Sequence, residues 1–184
     1  KAAARMGTIV EGLLMLARAD ACRLDGQFRP LDLRSVVEEV VDQHRSQAES
    51  AGIHLSAALE EPAPVRGDPA LLARVSSNLL SNALRYTPAG GRVQVSLSAA
   101  GGDGAVLAVE DSGCGIALED QDKVFERFFR ADKARSRAQG GIGLGLAICK
   151  TLVEAHHGTI AFRSAPDRGT RFEVRLPLDA ATNN

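Results

Sequence analysis

An unbroken apolar run, Ala105, Val106, Leu107, Ala108 and Val109, passes through Glu110 into DSGCGI at residues 111–116. Five apolar residues without alternation read as a strand buried on both faces. An acid at the strand's end, followed by Gly113 and Gly115, marks a tight turn at which backbone can come close to a ligand. The chain therefore needs a sheet with an interior strand whose end opens on a pocket.

The flanking segments supply that sheet. Residues 92–99 alternate, with Val93, Val95 and Leu97 on one side, and Gly101, Gly102 and Gly104 join them to the apolar run as a hairpin. Residues 159–164 and 170–176 alternate as two closing strands around a turn at 166–169. Residues 28–33 and 53–59 are further candidate strands, and Pro62 and Pro64 are read as breaking the chain. Asp32 is the expected cap of a helix carrying Val36, Val37, Val40 and Val41. Ser35 with Glu38 adds a capping-box pattern, and Gly52 ends the helix. Asp68-Pro69 opens a helix over about 69–85, apolar at Leu71, Leu72, Val75, Leu79, Leu80 and Ala83, and another helix covers 144–157. The predicted class is α+β, an α/β sandwich with one mixed, mostly antiparallel sheet and helices on one face.

Residues 1–20 read as a separate amphipathic helix. Met6, Val10, Leu13 and Ala17 form a coiled-coil-like seam that Ile9 and Leu16 widen. Such a seam needs a partner helix, from this chain or a second copy, unless it packs on its own domain. At 184 residues the chain accommodates one full domain and a short extra element. A net charge of −1 argues against bulk attraction to nucleic acid or anionic lipid. No apolar run approaches the roughly 20 residues of a membrane span, and the polar start is not expected to be a signal peptide. Cys22, Cys114 and Cys149 are too scattered for a disulfide framework or zinc site and fit reduced thiols in the cytosol.

Three other segments carry chemistry. In NLLSNALRYTP, residues 78–88, Asn78 and Asn82 are four apart and Arg85 is three further on, so two carboxamides and a cation share one helix face, with Tyr86 one step beyond. Hard amide oxygens beside a cation suit a magnesium–triphosphate, because magnesium is shared with substrate phosphates; a solvated polar face is the alternative. In GGIGLGLAICK, residues 140–150, Gly141, Gly143 and Gly145 alternate into a helix start, where backbone N–H groups favour an anion. The pattern is neither a Walker A loop nor a dinucleotide fingerprint. Between the two glycine turns, KVFERFFRADKARSRAQ at residues 123–139 joins Phe125, Phe128 and Phe129 to a basic half containing Arg127, Arg130, Lys133, Arg135 and Arg137. A long charged segment there fits a lid over nucleotide or a surface loop. Asp111 fits the same picture, since a pocket carboxylate accepts hydrogen bonds and an adenine amino group donates them.

In this order the segments resemble the N, G1, F and G2 boxes of the sensor histidine kinase catalytic domain, and GTRFEVRLP resembles the last glycine box, with Gly169 and Thr170. The resemblance covers about residues 27–178 and implies the Bergerat ATP-binding fold of the GHKL superfamily. It implies ATP and Mg2+ as cofactors, Asn82 as magnesium ligand with Asn78 close by, and Arg85 and Tyr86 at the phosphates. Asp111 would take the adenine amino group in a pocket shaped by Gly113, Gly115 and Ile116. Arg130 would meet the γ-phosphate, making Asn82 and Arg130 the catalytic pair. Gly141, Gly143, Leu144, Gly145 and Leu146 would form the hinge and phosphate loop, and Thr170 would sit near the adenine.

The resemblance further implies a division at residues 1–26, the end of the dimerisation and phosphotransfer helix with its connector, and 27–180, the catalytic domain. Its implied partners are the chain's own dimerisation domain, a response regulator receiver domain and a second copy through residues 1–20, with no nucleic acid. The implied setting is cytoplasmic, within a protein of the bacterial inner membrane. None of His44, His54, His156 and His157 has the acidic neighbour of the family's phosphoacceptor, so that residue is expected upstream. The rival readings are another GHKL ATPase, a serine kinase of the anti-sigma type, and a non-catalytic nucleotide-binding or dimerisation module. Three positions depart from the pattern: His157 replaces a glycine, Phe129 stands where tyrosine is common, and Cys114 fills a variable place beside the pocket.

Overall fold

The computed structural model describes residues 28–59, 62–100, 104–130 and 142–179. The expected helix at 1–20, the division at 26/27, Cys22, Gly141 and the lid's Lys133, Arg135 and Arg137 lie outside the described residues.

Asp32 starts the domain as a cap. Its Oδ1 accepts the Arg34 N–H at 3.0 Å and the Ala63 N–H at 2.9 Å, so one carboxylate both begins helix α1 (Leu33–Ser50) and fixes the later chain against it. The capping box at Ser35 does not form, because the helix starts three residues earlier than that box requires. Helix α1 ends in a Schellman motif, with Gly52 N–H on Glu49 O and Ile53 N–H on Ala48 O. Asp68 caps helix α2 (Pro69–Tyr86) through Ala70 and Leu71 N–H, with Pro69 in the first turn. The buried stripe Leu72, Val75, Leu79, Leu80, Ala83 and Leu84 runs its length. Each large apolar side chain so buried contributes roughly 1.5–3 kcal/mol.

Five strands form the main sheet in the order β2 (His54–Leu59), β4 (Arg92–Ala100), β5 (Gly104–Asp111), β7 (Thr170–Leu176), β6 (Thr159–Ser164). Among the described strands β2 and β4 make the one parallel pair, and the other pairings are antiparallel. Helix α2 lies over the centre, between α1 over β2 and α4 (Gly145–Ala155) over β6, all on one face. A short helix α3 (Leu118–Gln121) follows the turn after β5. The core lies between the layers, where Val93, Val95, Leu97, Leu107, Val109, Val174 and Leu176 meet Val37, Leu79, Leu80, Ile148 and Leu152.

The expectation of a single sheet is corrected. Arg29–Asp32 (β1) and Pro64–Gly67 (β3) pair antiparallel as a separate ribbon. Pro64 is tolerated because it is the first residue of β3, whose other strand pairing among the described residues is an isolated bridge from Val65 to Leu178. Strand β5 also departs from the expectation of burial on both faces. Ala108 is buried, but Val106, on the helix-free face, is partly exposed. The last helix ends at Ala155 rather than 157. Its cap is a second Schellman motif, with His157 N–H on Glu154 O and Gly158 N–H on Val153 O, and His157 takes a φ of 58°.

Candidate nucleotide site

Helix α2 supplies one wall. Asn78 donates from Nδ2 to Gly145 O at 3.4 Å, and eight residues on the Tyr86 carbonyl accepts the Cys114 N–H at 3.3 Å. The helix thus joins the start of α4 to the turn after β5 over about 12 Å of helical rise. Asn82 lies midway, half-buried on the same face, and Arg85 occupies the last turn. The Tyr86 phenol is 45% exposed, so the backbone of that residue makes the join.

The turn end is built around Asp111. Its Oδ1 accepts Gly113 N–H at 2.8 Å and Thr170 N–H at 3.3 Å. Among the described residues no donor reaches its Oδ2. Burial pushes the Asp111 carboxyl above its ordinary range; the two backbone N–H groups pull it back in part, and Glu110 next to it adds to the rise. Gly113 is required for space, since a methyl there would run into the Tyr86 carbonyl oxygen. Ser164 holds the surroundings in place. It accepts Ile116 N–H at 2.8 Å, donates to Gly169 O at 3.0 Å and meets the Thr170 hydroxyl at 2.9 Å. Gln121 ties Ile116 O and Ser164 O together at 3.0 and 3.2 Å. Sequence reasoning missed Ser164 and Gln121, because a serine ending a strand and a glutamine in a short helix carry no spacing signal.

The second glycine turn is described from Ile142. Gly143 has a φ of 78° and its carbonyl accepts the Phe128 N–H at 2.8 Å; Phe128 is itself left-handed at φ 66°. A bulky residue in that conformation is a strained element at the root of the expected lid. Leu144 is buried, and Leu146 and Ile116 pack at the core's margin. Cys149, fully buried one turn beyond Gly145, points its thiol at Val75 O at 3.7 Å, and burial pushes its pKa up to about 12. Arg130 is half-buried and closes the described part of the lid. The structure therefore brings Asp111, Gly113 and Thr170 into one cluster and Asn78 and Gly145 into another, with α2 between them.

Residues 67–180 match the model of the histidine kinase-, DNA gyrase B- and HSP90-like ATPase family. The sensor-like histidine kinase SenX3 of Mycobacterium tuberculosis is 42% identical over 94% of this chain, and CusS of Escherichia coli K12 is 42% identical over 94%. The chain spans 42% of SenX3 and 35% of CusS, less than half the length of either relative. Among solved structures, the mycobacterial sensor histidine kinase MprB is 33% identical, superposes with a TM-score of 0.70, and shares 82% of this chain and 97% of its own. Full-length ShkA, solved in complex with AMPPNP, is 28% identical with a TM-score of 0.77 over 92% of this chain and 35% of its own. The chain belongs to the histidine kinase-, DNA gyrase B- and HSP90-like ATPase family, as an ATP-binding catalytic domain of the sensor histidine kinase type.

Proposed function

We propose that the chain holds Mg-ATP along α2 and presents the γ-phosphate to a histidine of its dimerisation domain, for relay to a response regulator aspartate. The observation that carries this reading is Asp111: a buried carboxylate at a strand end, fixed through one oxygen by Gly113 and Thr170, with the other oxygen left for a base amino group. Thr170, Gly113, Gly115 and Ile116 then form the adenine end. Asn78, Asn82, Arg85, Tyr86, Arg130 and the loop from Gly141 through Gly143 and Leu144 to Gly145 and Leu146 form the phosphate end.

The donor set fits magnesium. The Asn78 amide donates an N–H to Gly145 O, and its oxygen, a hard neutral donor, belongs to the same helix face as Asn82. Asn82 would hold the ion, which when bound neutralises charge on the phosphates. The chain's own part is electrostatic and positional: Arg85 and Arg130 bind phosphate oxygens, and the start of α4 offers backbone N–H groups to an anion. His44 and His156 are buried with both ring nitrogens engaged, so neither serves as phosphoacceptor. That residue belongs to the dimerisation segment, and the domain without it carries no stoichiometric phosphohistidine. In the whole protein the domain faces the cytoplasm below an inner-membrane sensor and works as a dimer.

Thermal unfolding with and without magnesium and a non-hydrolysable ATP analogue tests the reading. Ligand at 100 times its Kd stabilises by roughly 2.7 kcal/mol, which for this size shifts the midpoint by about 5–10 °C. The shift should vanish in Asp111→Asn. An unshifted wild-type midpoint at saturating nucleotide would put the non-catalytic module reading first.

A further inference from the structure

One buried ring lies where three parts of the domain meet. His156 is the C-cap residue of α4 and is 2% exposed. Its Nδ1 donates to Leu152 O at 2.7 Å, which makes Nε2 the acceptor for the Asp68 N–H at 3.2 Å. Asp68 caps α2, the helix of Asn78, Asn82 and Arg85. The ring of Phe28 stacks on the imidazole at 4.1 Å between centroids and 17° between planes. Phe28 is also held through its carbonyl, which accepts from Arg66 Nη2 at 3.2 Å, and strand β1 follows at once. Gly67 lies so close to the ring that a methyl there would sit 2.6 Å from His156 Cδ2. The residue at which the chain enters the domain is thus fixed to the end of α4 and the start of α2, the two helices that line the nucleotide cleft.

We infer that Phe28, seated on His156, is a positioning residue for phosphoryl transfer: it sets the direction in which the dimerisation segment leaves the catalytic domain and so aligns the bound nucleotide with the acceptor histidine. This rests on the kinase reading above. The contacts of Phe28 are with His156 and Arg66, not with Asp111 or Thr170. Its effect belongs to the encounter between domains. Transfer within one chain depends on geometry and effective concentration, and a small misalignment suffices to slow it.

The test uses the kinase with its dimerisation helices, as wild type, Phe28→Ala and Phe28→Tyr, the last of which keeps the stacked ring. Autophosphorylation, analogue binding, the thermal midpoint and transfer to a separately supplied dimerisation domain are measured for each. Phe28→Ala is expected to lower the autophosphorylation kcat roughly 10-fold. KM for ATP, analogue affinity and the rate to the separate acceptor should stay unchanged, and Phe28→Tyr should restore kcat. An unchanged kcat in Phe28→Ala would overturn the inference. So would a fall in analogue affinity that tracks the thermal midpoint, since that is the signature of packing alone. A wild-type protein that binds no nucleotide would overturn the kinase reading and the inference with it, whereas intact binding with unchanged kcat would remove the inference only.

Discussion

Thr170 donates its backbone N–H to Asp111 Oδ1 at 3.3 Å from the position directly opposite on β7. The bond holds a carboxylate that burial has raised above its ordinary value of 3.8. A raised acid contributes stability that is fully present below 3.8 and is lost as pH rises through the raised value, where the buried group must ionise. Asparagine keeps the acceptor for Gly113 and Thr170 and never ionises. The midpoint of Asp111→Asn minus that of wild type should therefore grow as pH rises from acid to neutral. The mutant should nevertheless lose the nucleotide shift, because its amide N–H would face another donor. Thermal scans across pH, with and without analogue, check both signs.

Gly143 and Gly145 are glycines for different reasons. At Gly143 φ is 78° and a methyl would lie 2.7 Å from Phe129 O, so Gly143→Ala should destabilise the domain by about 1–2 kcal/mol. At Gly145 the nearest atoms to a methyl belong to Asn78 at 3.8 and 3.9 Å, which is ordinary contact. Gly145→Ala should keep the fold and gain up to about 1 kcal/mol of helix propensity. The methyl would enter the phosphate end, so analogue affinity should fall. Chemical denaturation paired with analogue titration separates the two cases.

His157 occupies the position where helices most often place glycine. Its left-handed conformation costs roughly 1–2 kcal/mol, and glycine's extra freedom in the unfolded chain returns about 0.4–1. The strain term is the larger, so His157→Gly should stabilise by on the order of 0.5–1 kcal/mol, while His157→Ala should not. At roughly 2–4 °C per kcal/mol for this size, a melting comparison resolves the difference.

The thiols should differ sharply. Cys114 is exposed beside Gly115, whereas Cys149 is fully buried with its pKa pushed up to about 12. Brief alkylation of the native domain at neutral pH, read by peptide mass spectrometry, should label Cys114 and leave Cys149 intact until unfolding.

Much of this was legible in the sequence. The alternation of residues 159–164 and 170–176 marked both closing strands at the bounds they have, and Asp32, Asp68 and Gly52 punctuated their helices as caps do. Asp111, Asn78 and the glycines stood out because spacing reports which residues share a face or a turn. Strand β3 was hidden, because proline vetoes an interior strand but not the first residue of an isolated ribbon. The capping box misled, because a local pattern cannot say which of two acceptors, Asp32 or Ser35, the tertiary contact with Ala63 selects. Ser164, Gln121 and the Phe28–His156 stack were invisible for a related reason. Each draws its role from a residue between 43 and 128 positions away, and no short window along the chain contains both ends.

The parallel pairing of β2 with β4 bears on how the domain leaves the ribosome. Residues 60–91, with the β1–β3 ribbon's second strand and all of α2, must emerge before β2 finds its neighbour. Until residues 92–100 are out, α1 has only an unpaired strand to cover, and Val37, Val40 and Val41 have no finished sheet beneath them. Such long-range pairing is slow and leaves apolar surface uncovered. Translation halted just after α2 should yield a nascent chain bound by chaperones, and one halted after β5 a chain that has begun to resist protease.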